Sequence, residues 1–137
     1  MKIDIAAICD AATVEGGKFN LLGVFDTFFT EQFPLVYPYC SIAFKVRLEE
    51  KDERPKKFKM KIVDENGKEV LPPAETEVNY YKKKPSTKDP NKGTLNLAFS
   101  IAGLKLEKAG VYKIQLSKNG KILKELPLFA KKGEKEV

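Results

Sequence analysis

Carboxylates, lysines, tyrosines and two cysteines are what this sequence offers for chemistry, because it contains no histidine. The commonest general base is therefore absent. Ser-His-Asp and Cys-His arrangements are excluded with it. No GxxxxGK[ST] or GxGxxG loop is present to cradle phosphate. The carboxylates of interest are Asp10 and Asp26, which fall near one end of a predicted hairpin. Such a pair could hold a cation or do acid–base work, as in a β-sandwich hydrolase, provided the two converge in a cleft. The plainer reading makes them strand-end carboxylates that cap turns and pair with lysines. Cys9 and Cys40 sit in apolar runs with no CxxC spacing. They read as buried reduced thiols, and neither a metal site nor a cofactor is expected. Nothing here points to an enzyme.

Binding chemistry is better supplied. Tyr80 and Tyr81 precede Lys82, Lys83 and Lys84, with Lys88 and Lys92 beyond. Lysines would neutralise phosphates, and an exposed Tyr81 ring could stack on an unpaired base. A second basic stripe is formed by Lys56, Lys57, Lys59 and Lys61. The chain carries a net charge of +6, with a slightly acidic first third and a basic remainder. Lysine dominates, however, and only Arg47 and Arg54 are available for bidentate contacts. A nucleic-acid or other anionic partner is thus the second choice, and a solvated lysine face explains the charge as well. Phe28, Phe29, Phe33, Leu35 and Tyr37 crowd many apolar groups into a short span. That span is the expected contact surface for another protein chain, self or non-self.

The elements that would position these groups alternate with period two. Short apolar-polar runs separated by turn signals are the signature of an antiparallel sandwich or barrel. Ile3, Ile5, Ala7 and Cys9 share one face of the first run, and Gly16-Gly17 marks a hairpin into residues 19–29. A two-residue loop sets Cys9 opposite Val24 and Asp10 opposite Gly23, where a bulge or close backbone approach is expected. Ile42, Phe44, Val46 and Leu48 form an inward face, as do Phe58, Met60 and Ile62 against a lysine ladder. Asn66-Gly67 predicts a type I′ turn, with Val70 and Leu71 returning until Pro72-Pro73 stops the strand. Residues 78–81 and 94–101 follow as strands. In the last hairpin, a plain turn at Asn119-Gly120 would set Ile114 against Glu125. One extra residue restores Ile114 opposite Leu126, so a bulge is predicted, with Gly120 left-handed. Pro127 implies an irregular or edge position.

These runs predict a single all-β domain over residues 1–130, an antiparallel two-sheet sandwich of eight or nine strands, with 131–137 a charged, flexible tail. No run approaches the ~20 apolar residues of a membrane helix. Lys2, Asp4 and Asp10 interrupt any leader-like segment. A cytoplasmic protein without membrane association is expected.

Two resemblances sharpen this reading. Ile101, Leu104, Gly110 and Tyr112 resemble the corner between strands E and F of immunoglobulin-like domains. The resemblance implies that Tyr112 buries its ring and ties its hydroxyl back to the loop. Lys108 stands where that family has an Asp, and Ile114 where the disulfide cysteine would be, so neither feature carries over. Cys9-Asp10-Ala11-Ala12 followed by Gly17-Lys18 and Leu22-Gly23-Val24-Phe25-Asp26 looks like the opening of a small bacterial β-sandwich family of unknown function. That resemblance implies a fold and no catalytic residues. Together the readings favour a non-catalytic binding or assembly module.

Overall fold

Alternating apolar and polar residues build nine strands and, among the described residues, no helix. The computed structural model describes residues 1–49, 57–77 and 93–134. The strands are β1 (Lys2–Glu15), β2 (Lys18–Phe25), β3 (Thr27–Thr30), β4 (Leu35–Arg47), β5 (Lys57–Val63), β6 (Ala74–Glu77), β7 (Thr94–Leu106), β8 (Gly110–Lys118) and β9 (Lys121–Lys132). They form two sheets, ordered β2-β1-β4-β7 and β3-β9-β8-β5-β6. The pairing is antiparallel with one exception. β3 runs parallel to β9, from Thr27↔Phe129 to Thr30↔Lys132. β3 leaves the first sheet after β2 and crosses to the edge of the second, where it lies alongside the closing strand. That pairing carries β9 through Lys131 and Lys132, two residues past the expected end of the folded body.

Between the sheets lies one core. Cys40, Ile42, Phe44 and Val46 of β4 meet Leu97, Phe99 and Ile101 of β7 on one side. Phe58, Met60 and Ile62 of β5, Ile114 and Leu116 of β8 and Leu128 of β9 close it from the other. Burying each large side chain contributes about 1.5–3 kcal/mol. Both cysteines are buried free thiols. Cys9 pairs with Ser41, the neighbour of Cys40 in β4, so the two thiols point to opposite faces of the sheet.

Three local irregularities set which residues face inward. The ladder between β1 and β4 shifts between Ile3 and Ile5, leaving Asp4 as the extra residue. Ile5, Ala7 and Cys9 consequently lie on the outer face, while Ile3 and Ile8 face the core. This corrects the single face expected for Ile3 through Cys9. In β7, Ile101 and Leu104 are both buried although three apart. Gly103, with φ of 71°, turns the strand over between them, opposite Pro38. In β9 the register shifts after Leu116↔Lys124 to Ser117↔Ile122, so Leu123 is the inserted residue. Ile114 then pairs with Leu126, as expected. The bulge sits inside the strand, however, and the turn itself keeps two residues, Asn119 and Gly120, both at positive φ. Pro127 falls on the part of β9 that β3 does not reach.

The other turns follow their side chains. Asp64 Oδ1 accepts the N–H groups of Asn66 and Lys68, both at 2.9 Å. Only Gly67 has positive φ there, 80°, so the turn is a three-residue loop closed by a left-handed glycine and not type I′. Val70 and Leu71 form no strand. A lone bridge, Val63↔Glu69, precedes them, and β5 is flanked by β8 on one side and β6 on the other. The strand expected over 78–81 lies outside the described residues. The corner between β7 and β8 links the two sheets, and Tyr112, buried, donates its hydroxyl to the Lys108 carbonyl at 2.6 Å. Glu65 Oε1 accepts the Val111 N–H at 3.0 Å, which ties the 64–68 turn to the same corner.

Candidate interaction surface

The 28–37 span is mostly interior. Phe28 is buried and belongs to the core. Phe33, Leu35 and Tyr37 are half-buried and pack against it. Leu35 and Tyr37 pair with Leu106 and Leu104, so they share the inward face that Gly103 and Pro38 restore. Phe28, Phe25 and Tyr37 form a ring cluster, with centroid separations of 5.0, 5.7 and 4.6 Å. Phe29 alone presents a substantial ring surface outward. The contact surface expected from these residues is therefore corrected: β9 and the second sheet cover most of it.

Asp10 and Asp26 are held apart. The Tyr37 hydroxyl donates to Asp10 Oδ1 at 3.2 Å. Burial pushes the Tyr37 phenol above its ordinary value, and the Asp10 hydrogen bond and charge add to this. The Asp10 carboxylate lies flat against the backbone of Gly23, whose φ is 68°; a Cβ at that position would collide with it. This is the close approach expected there, without a register shift. Asp26 accepts the Thr27 hydroxyl at 2.7 Å, and its carbonyl accepts the Phe129 N–H at 2.8 Å. Three residues of extended chain, about 10 Å, separate it from the position opposite Asp10. Asp26 lines a shallow groove with Val24, Phe25, Leu126 and Pro127, to which Asp10 does not contribute. The convergence a hydrolase would need is absent. Among the described residues no cluster of three or more Cys, Asp or Glu side chains is placed to hold a metal.

The lysine run Tyr81, Lys82, Lys83, Lys84 and Lys88 lies outside the described residues. Part of the second basic stripe is described. Lys57, Lys59 and Lys61 line a polar groove on the outer face of the second sheet, with Glu75, Gln115, Ser117, Asn119 and Gly120. Lys61 pairs with Glu69 at 3.5 Å, and Lys113 with Glu125 at 3.5 Å. The Gln115 amide, with Lys113, holds the Glu125 carboxyl below its ordinary value.

Among the described residues, the most exposed large apolar groups lie elsewhere. β4 pairs with β1 only as far as Cys9↔Ser41, whereas β1 and β2 pair out to Glu15↔Lys18. Residues 10–23 thus part from β4, which continues to Leu35 against β7, and form a two-stranded arm about 20 Å long. Leu22 is 70% exposed, Val24 60% and Val14 49%. Sequence pattern alone passed over this arm; the adjacent Leu21 and Leu22, which a strand sends to opposite faces, are the signal that could have found it. Gly16 and Gly17, at φ of 56° and 73°, close it with a tight turn.

No curated protein matches the chain. A family profile does, across residues 4–131, and it takes in the arm, both sheets and the tyrosine corner. The chain belongs to DUF6941, a family of unknown function.

Proposed function

We propose that this protein is a non-catalytic binding module, and that it engages another protein chain through the β1–β2 arm. The carrying observation is the exposure of Leu22 and Val14 on a ribbon that has parted from β4, with Val24 exposed at its base. A two-stranded ribbon is marginal by itself, and apolar side chains on it gain most when a partner covers them. Strand pairing supports an immunoglobulin-like reading of the sandwich: β4 with β7 in one sheet, β5-β8-β9 in the other, and a tyrosine corner between them. Two buried unpaired thiols suit an intracellular, cytoplasmic setting.

Affinity capture from lysate of the source organism, after nuclease and at high salt, compares the wild type with Leu22→Asp. The reading expects a protein retained by the wild type and lost by a variant that still melts cooperatively. Equal capture by both would sink it. A second reading rests on the groove lined by Lys57, Lys59 and Lys61. It makes the protein an anion-binding module, with binding that falls steeply with salt and with Lys57→Glu plus Lys59→Glu. Salt-insensitive or absent binding of polyphosphate or oligonucleotide removes that reading.

A further inference from the structure

Edges of the second sheet are guarded. β3 and β6 have four residues each, and β6 carries Glu75 behind Pro72-Pro73. The uncovered part of β9 holds Lys121, Lys124, Glu125, Pro127 and the Leu123 bulge. Short strands, charges, proline and bulges are the devices that stop one sheet from adding to another. β2 has none of them from Phe19 to Phe25: no charge, no proline and no register shift. Its one irregularity is Gly23. Among the described residues no strand pairs with its outer edge.

Backbone geometry shows what that edge offers. In a two-residue hairpin the flanking pair, here Glu15 and Lys18, exchanges both backbone hydrogen bonds, and every second pair outward does the same. Phe19 and Leu21 alternate with those pairs. Their N–H and C=O groups therefore point away from β1, unclaimed by the ladder.

Charge decides the occupant. Lys18 stands at one end of β2 and Asp26 just past the other, with seven uncharged residues between them. Lys18 has no ion pair among the described residues, and Thr27 binds only Oδ1 of Asp26. An antiparallel strand of the same sequence presents the complementary order. We infer that the chain forms a two-fold dimer in which β2 pairs antiparallel with β2 of a second copy, continuing the four-stranded sheet into one of eight. With Leu22 on the axis, Lys18 of each copy faces Asp26 of the other, twice by symmetry. Leu22 meets its own counterpart, and the most exposed large apolar side chain among the described residues is covered. The inference rests on reading the arm as the interaction surface and names its partner.

Sedimentation velocity across a dilution series tests it with the full chain. The wild type is expected to dimerise. Leu21→Pro, which removes one outward donor and no rung of the β1–β2 ladder, gives a monomer that still melts cooperatively. Lys18→Asp weakens the dimer by about tenfold, since two exposed ion pairs are lost, and Lys18→Asp with Asp26→Lys restores it. A wild type monomeric at every concentration overturns the dimer; if it still captures a partner that Leu22→Asp loses, the arm reading stands without it. A dimer indifferent to the charge reversals also overturns it, even if Leu21→Pro fails to fold.

Discussion

Residues 19–24 and 28–37 are neighbouring apolar stretches with opposite fates. The second is the denser in aromatic rings, yet Phe28 is 3% exposed and Tyr37 closes a ring cluster. The first is sparser, yet Leu22 is the most exposed large hydrophobic group of the described residues. The difference lies in the number of layers. β3, in the second sheet, and the start of β4, in the first, pack their inner faces against the core, while residues 10–23 part from β4 after Cys9↔Ser41. Apolar density reports a demand for burial; whether the chain itself meets that demand depends on what stands opposite.

Truncation draws this contrast most sharply. Phe28→Ala should cost about 3–5 kcal/mol, because it empties a packed site beneath Phe25 and Tyr37. Urea unfolding measures it, and a loss below 1 kcal/mol would return Phe28 to the surface. Gly23→Ala, inside the arm, should cost about 2 kcal/mol, because φ there is left-handed and the Asp10 carboxylate fills the space. Adding Asp10→Ala should recover part of that loss, and full additivity of the two would deny the contact.

Alkaline titration separates the regions by sign. Burial, with the charges of Cys9 and Asp10, pushes the Cys40 thiol from 9.0 up to about 11. The Tyr37 phenol is raised from 10.0, first by burial and then by Asp10. The fold favours the neutral form of both groups. Their contribution is complete below the unfolded values and is lost as pH climbs through the folded ones. Stability should fall between pH 9 and 11 by on the order of 2–3 kcal/mol. Cys40→Ala should flatten that slope, whereas Leu22→Ala should leave it unchanged. The smallest effect belongs to the arm: Leu22→Ala should shift the unfolding free energy of the monomer by less than about 0.5 kcal/mol. A larger loss at low concentration would mean that Leu22 is already packed within one chain.

Much of the fold was legible because strand periodicity and turn chemistry are local. The inward faces of β4 from Ile42 to Val46 and of β5 followed from alternation alone, and Cys9↔Val24 followed from a two-residue turn. The shifted register of the last hairpin came from a conflict between two local rules, the turn and the apolar match at Ile114. Where the reading went wrong, a single residue changed the parity of a strand. Asp4 moved Ile5, Ala7 and Cys9 to the outer face, and Gly103 with Pro38 moved Leu35 and Tyr37 inward. Alternation has no memory beyond such a point, so a bulge unseen in sequence reverses every assignment past it.

By itself the sequence determined the strand class, the core faces and the tyrosine corner, since each depends on residues a few positions apart. It also disposed of histidine-based catalysis by composition. Tertiary structure alone decided that β3 pairs in parallel with β9, that Asp10 and Asp26 stay apart, and that β1 parts from β4 after Cys9. Those outcomes depend on which strands lie side by side and where each one stops. The point at which two long strands part leaves no mark on their own residues, and for that reason the exposed arm emerged only when both sheets were in place.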